Sequence, residues 1–212
     1  MQETIRLIPS TELIPSPWKN GGGSTRQIAI FPADAGMDDF IWRVSAAQIA
    51  ADGPFSYWED IDRILMLTHG GPLRLTRSDT GQDTLLETGA RLYFAGETPY
   101  DAALAGGPAQ DFNLMLRRKQ AHGCVDMRSG RQKLSLRPGD TLLHCVQGRF
   151  QTSLPPHLGG QRLLDTGDTL HITLDYVPFF GLELSPLTPD ARLVDARINL
   201  YPAAAARVEG RP

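Results

Sequence analysis

Arginines set among apolar residues are the first sign of chemistry in this chain. In the segment Thr25 to Phe31, strand alternation puts Arg26 on the same face as Ile28 and Ile30, and Arg63 shares a face with Leu65 and Leu67 in the same way. Arg43 and Ser45 lie together opposite Trp42 and Val44, while Asn113 lies with Asp111, Met115 and Arg117. A guanidinium in an apolar interior is costly unless it pairs with an acid, reaches water or receives an anionic ligand. Asp52, Asp60, Asp62 and Asp111 are the acids within reach in the same half of the chain, so an internal ion pair and a ligand site are both open. If a ligand is bound, arginine supplies paired N–H groups to a carboxylate, and asparagine offers a donor and an acceptor to a neighbouring amide. Such groups suit an amino-acid-like ligand.

The stretch Pro17-Trp18-Lys19-Asn20-Gly21-Gly22-Gly23-Ser24-Thr25-Arg26 adds an aromatic ring, two cations, an amide and three glycines. It lacks the Gly-Lys-Ser/Thr ending of a phosphate loop and the strand-to-helix setting of a dinucleotide fingerprint. Glycines permit positive φ and close backbone approach, so the expectation is a loop folded over a barrel mouth that carries Trp18 and Lys19 to the ligand. The candidate ligand-binding set is therefore Trp18, Lys19, Asn20, Gly21, Gly22, Arg26, Arg43, Ser45, Arg63 and Asn113. The five histidines, His69, His122, His144, His157 and His171, form no HxH pair, and no catalytic residue, metal set or cofactor site is expected.

The elements that must position these groups read as β throughout. With 21 glycines and 16 prolines, the chain is cut into short segments rich in β-branched or alternating residues. Expected strands are Thr25 to Phe31, Phe40 to Ala47, Asp62 to His69, Leu73 to Arg77, Arg91 to Ala95, Asp111 to Arg118, Thr141 to Gln147, Asp168 to Asp175 and Ala191 to Leu200. Leu85-Leu86-Glu87-Thr88-Gly89 returns as Leu163-Leu164-Asp165-Thr166-Gly167 at an offset of 163 − 85 = 78, and the same offset carries Gly70 onto Gly148 and Leu65 onto Leu143. Two copies of one β unit follow. They are expected as two jelly-roll barrels in tandem, residues 1–120 holding the ligand pocket and residues 121–212 mainly structural. The composition, 41% hydrophobic and 21% charged, is that of a folded globular chain. A net charge of −3 without a basic run argues against nucleic acid. No apolar run reaches bilayer length, the start lacks a secretory pattern, and Cys124 and Cys145 are read as buried, reduced thiols, so the expected location is the cytoplasm.

Pro17 to Ile28 resembles the PWKNGGGxTREI signature of the HutD/Ves family, with Gln27 where glutamate is usual. Trp42-Arg43-Val44-Ser45-Ala46, Asp52-Gly53-Pro54-Phe55-Ser56 with Asp62-Arg63, and Asp111-Phe112-Asn113-Leu114-Met115 resemble its following blocks, whereas Tyr57 to Ile61 depart from the usual Phe-Pro-Gly wording. The resemblance implies an all-β bicupin, a double-stranded β-helix repeated twice, without the cupin metal motif. It also implies a homodimer and a link to histidine utilisation, whose intermediates N-formylglutamate and urocanate are carboxylates. A regulatory or metabolite-buffering protein that binds a small carboxylate is the first expectation. The alternative is a cupin-type oxygenase or isomerase with an unrecognised metal or proton-transfer site.

Overall fold

The computed structural model describes residues 3–177, 180–202 and 204–205. Its strands in the first half are β1 (Glu3–Ile8), β2 (Pro15–Pro17), β3 (Gly23–Phe31), β4 (Trp42–Ile49), β5 (Gly53–Pro54), β6 (Ile61–Gly70), β7 (Leu73–Arg77), β8 (Asp83–Leu86), β9 (Arg91–Ala95), β10 (Tyr100–Leu104) and β11 (Ala109–Arg117). The second half adds β12 (Ala121–Ser129), β13 (Gln132–Ser135), β14 (Gly139–Gln147), β15 (Arg149–Ser153), β16 (Gln161–Asp165), β17 (Thr169–Leu174), β18 (Gly181–Pro186) and β19 (Arg192–Leu200). No helix among the described residues is long and apolar enough to cross a membrane.

The strands form two units of the same design. One unit contains a six-stranded sheet in the order β2-β3-β4-β11-β6-β9 and a four-stranded sheet β5-β10-β7-β8. The other contains β1-β17-β14-β19-β12 and β13-β18-β15-β16. Among the described residues the strands of these sheets pair antiparallel, as a jelly roll requires. Central strands are covered on both faces: in β6 only Asp62, His69 and Gly70 are exposed, which is why Ile64 to Leu67 reads as an unbroken apolar run, with Arg63 buried just before it.

The repeat at offset 78 is reproduced bond for bond. Thr88 Oγ1 donates to the Gly70 carbonyl at 3.3 Å, and Thr166 Oγ1 to the Gly148 carbonyl at 3.0 Å. Gly89 N donates to Leu67 O, and Gly167 N to Cys145 O, both at 2.7 Å. Gly70, Gly89, Gly148 and Gly167 all have positive φ, so these turns need glycine. In each copy the first leucine of the motif is exposed and the second is buried, Leu85 with Leu86 and Leu163 with Leu164.

The unit boundaries depart from the expected division into residues 1–120 and 121–212. Residues up to Glu12 group with Gly123–Leu200, and Leu13–His122 form the other unit. The reason is β1, a strand outside those expected from the sequence: it pairs along its whole length with β17, Glu3 opposite Leu174 through Ile8 opposite Thr169. The second unit thus takes its outermost strand from the N-terminal end of the chain. Its interior is filled by Leu143, Phe150, Leu164, Leu170, Ile172 and Leu184, among others. The N-terminal unit has an apolar cluster around Leu65, Leu67, Leu73, Leu75, Leu86 and Tyr100, and a smaller one of Phe40, Ile61 and Met115.

Candidate functional site

Along the inward face of β6 the order is Ile61, Arg63, Leu65, Leu67, so Arg63 stands between the two apolar clusters of its unit. The strand register arranges the inward residues of the six-stranded sheet in three rungs. Ile30, Arg43, Met115, Arg63 and Phe94 form one; Gln27, Ser45, Asn113, Leu65 and Leu92 the next; Thr25, Ala47, Asp111 and Leu67 the third. Successive rungs lie two residues apart, about 7 Å along the strands. Two guanidinium groups therefore flank Met115 on the first rung, an asparagine sits in the middle of the second, and a carboxyl in the middle of the third. All three rungs contribute to a cavity of about 870 Å³ that is also lined by Trp18, Lys19, Asn20 and Phe55.

The glycine loop closes onto this face. Trp18 N donates to Gly23 O at 2.9 Å, Gly21 N to Trp18 O at 3.0 Å, and Ala50 N to Gly22 O at 2.8 Å, tying the loop to the end of β4. The Trp18 indole N–H donates to Thr25 Oγ1 at 2.8 Å, which fixes the ring. Gly23 cannot be another residue without movement: a Cβ there meets the Gln48 carbonyl oxygen and stands 3.0 Å from the Trp18 ring.

Arg63 is 7% exposed. Its guanidinium carbon lies 4.9 Å from the centre of the Phe94 ring and 5.4 Å from that of Phe55. Nη1 has a long contact of 3.5 Å to Ser56 O, and Nε has no hydrogen-bond partner. Burial lowers its pKa to about 10, with Asp111 pulling it upward and Arg43 pushing it down. Burial also lowers the pKa of Arg43, whose Nε donates to Gln27 Oε1 at 2.9 Å and whose Nη1 faces Met115 Sδ at 3.7 Å. Asp111, 4% exposed, is pushed by burial up to about 7, against the attraction of Arg63. Asp111 Oδ1 and Asn113 Oδ1 are buried without a hydrogen-bond partner. The other acids considered as partners for these arginines are engaged elsewhere: Asp62 and Asp60 face Arg118, and Asp52 Oδ1 accepts from Leu104 N.

The structure brings together Trp18, Lys19, Asn20, Arg43, Ser45, Arg63 and Asn113 around one cavity. Gly21, Gly22 and Arg26 do not line it. The two glycines serve the loop, and Asn20 Oδ1 is committed there too, accepting from Gly22 N at 3.0 Å. Arg26 is exposed because a β-bulge between Gln27 and Ala29 leaves Ile28 as an extra residue. Inward orientation passes from Thr25 and Gln27 to Ile30, and counting back from Ile30 without the bulge assigns Arg26 to the wrong face. Asp111, Gln27 and Phe55 also line the cavity, outside the set expected from the sequence. The sequence puts Asp111 on a face with Asn113, where the role expected of it is that of a counter-ion.

The second unit shows what these positions become without a pocket. By register, Thr141 takes the place of Arg63, Leu193 that of Asp111 and Asp195 that of Asn113. Asp195 is fully engaged by Arg128 at 3.0 Å and Arg197 at 3.0 Å. His144 is buried, with Nδ1 2.8 Å from Thr169 Oγ1 and a pKa lowered by burial to about 4, while His171 Nε2 lies 2.8 Å from Asp140 Oδ1. Among the described residues no group of three or more His, Cys, Asp or Glu side chains is placed to hold a metal ion. Cys145 is buried, but Cys124 is exposed, contrary to the expectation for both thiols.

The family model HutD matches residues 10–179. The chain belongs to the HutD family. Over 109 residues, 51% of this HutD-family chain, it is 38% identical to Protein Ves of Cronobacter sakazakii, of whose length the match spans 58%. Over 150 residues it is 29% identical to an uncharacterized 21.2 kDa protein in the hutC 3' region of Pseudomonas putida, covering 71% of this chain and 78% of that one. Among solved structures, a conserved protein of unknown function from Pseudomonas aeruginosa superposes with a TM-score of 0.82 at 27% identity, covering 92% of this chain and 99% of the other. At the level of fold alone, HutD from Pseudomonas fluorescens SBW25 gives 0.78 at 24% identity over 93% and 100% of the two chains. Oxalate decarboxylase from Bacillus subtilis gives 0.59 at 9% over 91% and 76%. The HutD-family chain is an all-β protein of the cupin jelly-roll type.

Proposed function

We propose that this protein binds a small carboxylate of histidine utilisation in the cavity of the Leu13–His122 unit, and that it senses or buffers that metabolite. The observation that carries the reading is Arg63: a guanidinium 7% exposed, sandwiched near two aromatic rings, with an unpartnered Nε, beside a second arginine in a cavity of about 870 Å³. Neither charge is neutralised by an ion pair of its own within the unit's described contacts, so an anionic ligand supplies the missing partner. In this reading Arg43 and Arg63 hold carboxylate oxygens, Asn113 reads an amide or formyl group, Lys19 lowers the remaining charge at the mouth and Trp18 covers the ligand. The relative found in a hutC 3' region and the P. fluorescens HutD described in a formate condition support the choice of N-formylglutamate, urocanate and formate as candidates.

Calorimetric titration with these three compounds and glutamate tests the reading. Saturable binding of at least one of them is expected, weakened by about two orders of magnitude in Arg63→Ala, the size of loss seen when one partner of a buried charged contact is removed. Absence of binding by all four counts against a carboxylate pocket.

A further inference from the structure

Beneath the arginines, the same cavity carries a second and opposite kind of polar surface. Asp111 Oδ1 and Asn113 Oδ1 are both acceptors, both buried without a partner, and both belong to β11 residues that line the cavity. Their residues are 4% and 9% exposed. A carboxylate ligand satisfies Arg63 and Arg43 but offers nothing to these oxygens, which need hydrogens. An unpartnered buried acceptor is expensive, and a ligand that lacks a donor would leave Asp111 in that state or repel it. Neither does the fold call for an acid here, because Leu193 fills the equivalent place in the second unit.

Resting on the carboxylate reading above, we propose that Asp111 is the specificity-determining acceptor of the cavity, and that the ligand class is carboxylates bearing an N–H donor, such as N-acylamino acids and imidazole carboxylates. The register supports this polarity. Donors for the carboxylate sit on the first rung and the acid on the third, with Asn113 on the rung between, so a ligand lying along the strands meets cations at one end and Asp111 at the other. The lining carries three cations, Lys19, Arg43 and Arg63, against one acid, Asp111, an excess of 3 − 1 = 2 that favours a dicarboxylate within that class. Attraction by Arg63 helps Asp111 to ionise, and binding an N–H at its oxygen does the same.

The test is titration at pH 8 of wild type, Asp111→Asn and Arg63→Ala with N-formylglutamate and with freshly made 2-formyloxyglutarate, which differs only in carrying oxygen in place of N–H. Wild type is expected to bind the amide about 10- to 100-fold more tightly than the ester, the worth of a hydrogen bond to a charged group. Asp111→Asn is expected to bring the two within a few-fold of each other, chiefly by losing affinity for the amide. Equal binding of amide and ester by wild type, with both lost in Arg63→Ala, overturns the role of Asp111 and leaves the carboxylate reading standing. Failure of both compounds to bind wild type overturns both. Should Asp111→Asn not fold, the same comparison in Asp111→Leu, the residue type at the equivalent Leu193, decides.

Discussion

Asp111 makes the protein's stability depend on pH in a direction opposite to that of most carboxylates. Its pKa rises from 3.8 to about 7 because burial penalises the charged form more than Arg63 favours it. Between those values the folded state holds a proton that the unfolded chain has released, so this contribution is full below pH 4 and is lost as pH rises towards 7. His144 acts with the other sign: its pKa falls from 6.5 to about 4, so its contribution is present at neutral pH and is lost as pH falls through that range. The two windows overlap, and the wild-type curve alone separates neither. Asp111→Asn removes only the first. Urea unfolding at pH 5 and pH 8 should show the variant gaining on wild type at the higher pH, by on the order of 3 kcal/mol at most, since only the two units between pH 5 and about 7 are crossed. An equal difference at both pH values would mean that Asp111 is ionised throughout.

At the scale of elements, one extra residue and one close approach decide the site. The bulge at Ile28 lets Thr25 and Gln27 face the cavity while Ile30 still faces the smaller apolar cluster, and it sends Arg26 outward. The same strand thus supplies polar groups at one end and core at the other. Gly23 begins that strand, and a Cβ there would meet both the Gln48 carbonyl oxygen and the Trp18 ring. Gly23→Ala is expected to destabilise by about 1–3 kcal/mol, as overpacking does. It should also weaken ligand binding by displacing Trp18, which thermal denaturation and titration would report together. Gly21→Ala differs in kind: open space surrounds its Cβ position, and the cost comes only from φ of +73°.

For the whole chain, the arrangement of β1 makes the N-terminal residues part of the later repeat. Its pairing with β17 covers an edge of the five-stranded sheet, and Ile8 is buried while Ile5 and Leu7 pack on that unit's core. Deleting residues 3–8 should leave β17 as an open edge, lower the melting temperature and promote association, measurable by light scattering during a thermal ramp. A cut after residue 120 does the same damage to the second unit, since it carries away its outer strand.

The sequence by itself determined the β class, the twofold repeat and the faces of several polar side chains that line the cavity. Glycine turns, short alternating segments and the constant offset are local patterns, and Arg43, Ser45, Arg63 and Asn113 could be assigned to faces because their strands are regular where they sit. Tertiary structure decided what local pattern cannot hold. β1 found its partner more than 160 residues away, at a register no neighbouring residue specifies. The bulge reversed Arg26 because parity counts fail across a single extra residue. Asp111 became a candidate for reading the ligand only when its neighbours were known: other acids had taken their own partners, Arg63 had not, and burial had raised the cost of leaving its oxygen without a hydrogen. Solvation and pairing depend on what the folded chain brings together, and sequence spacing carries no record of them.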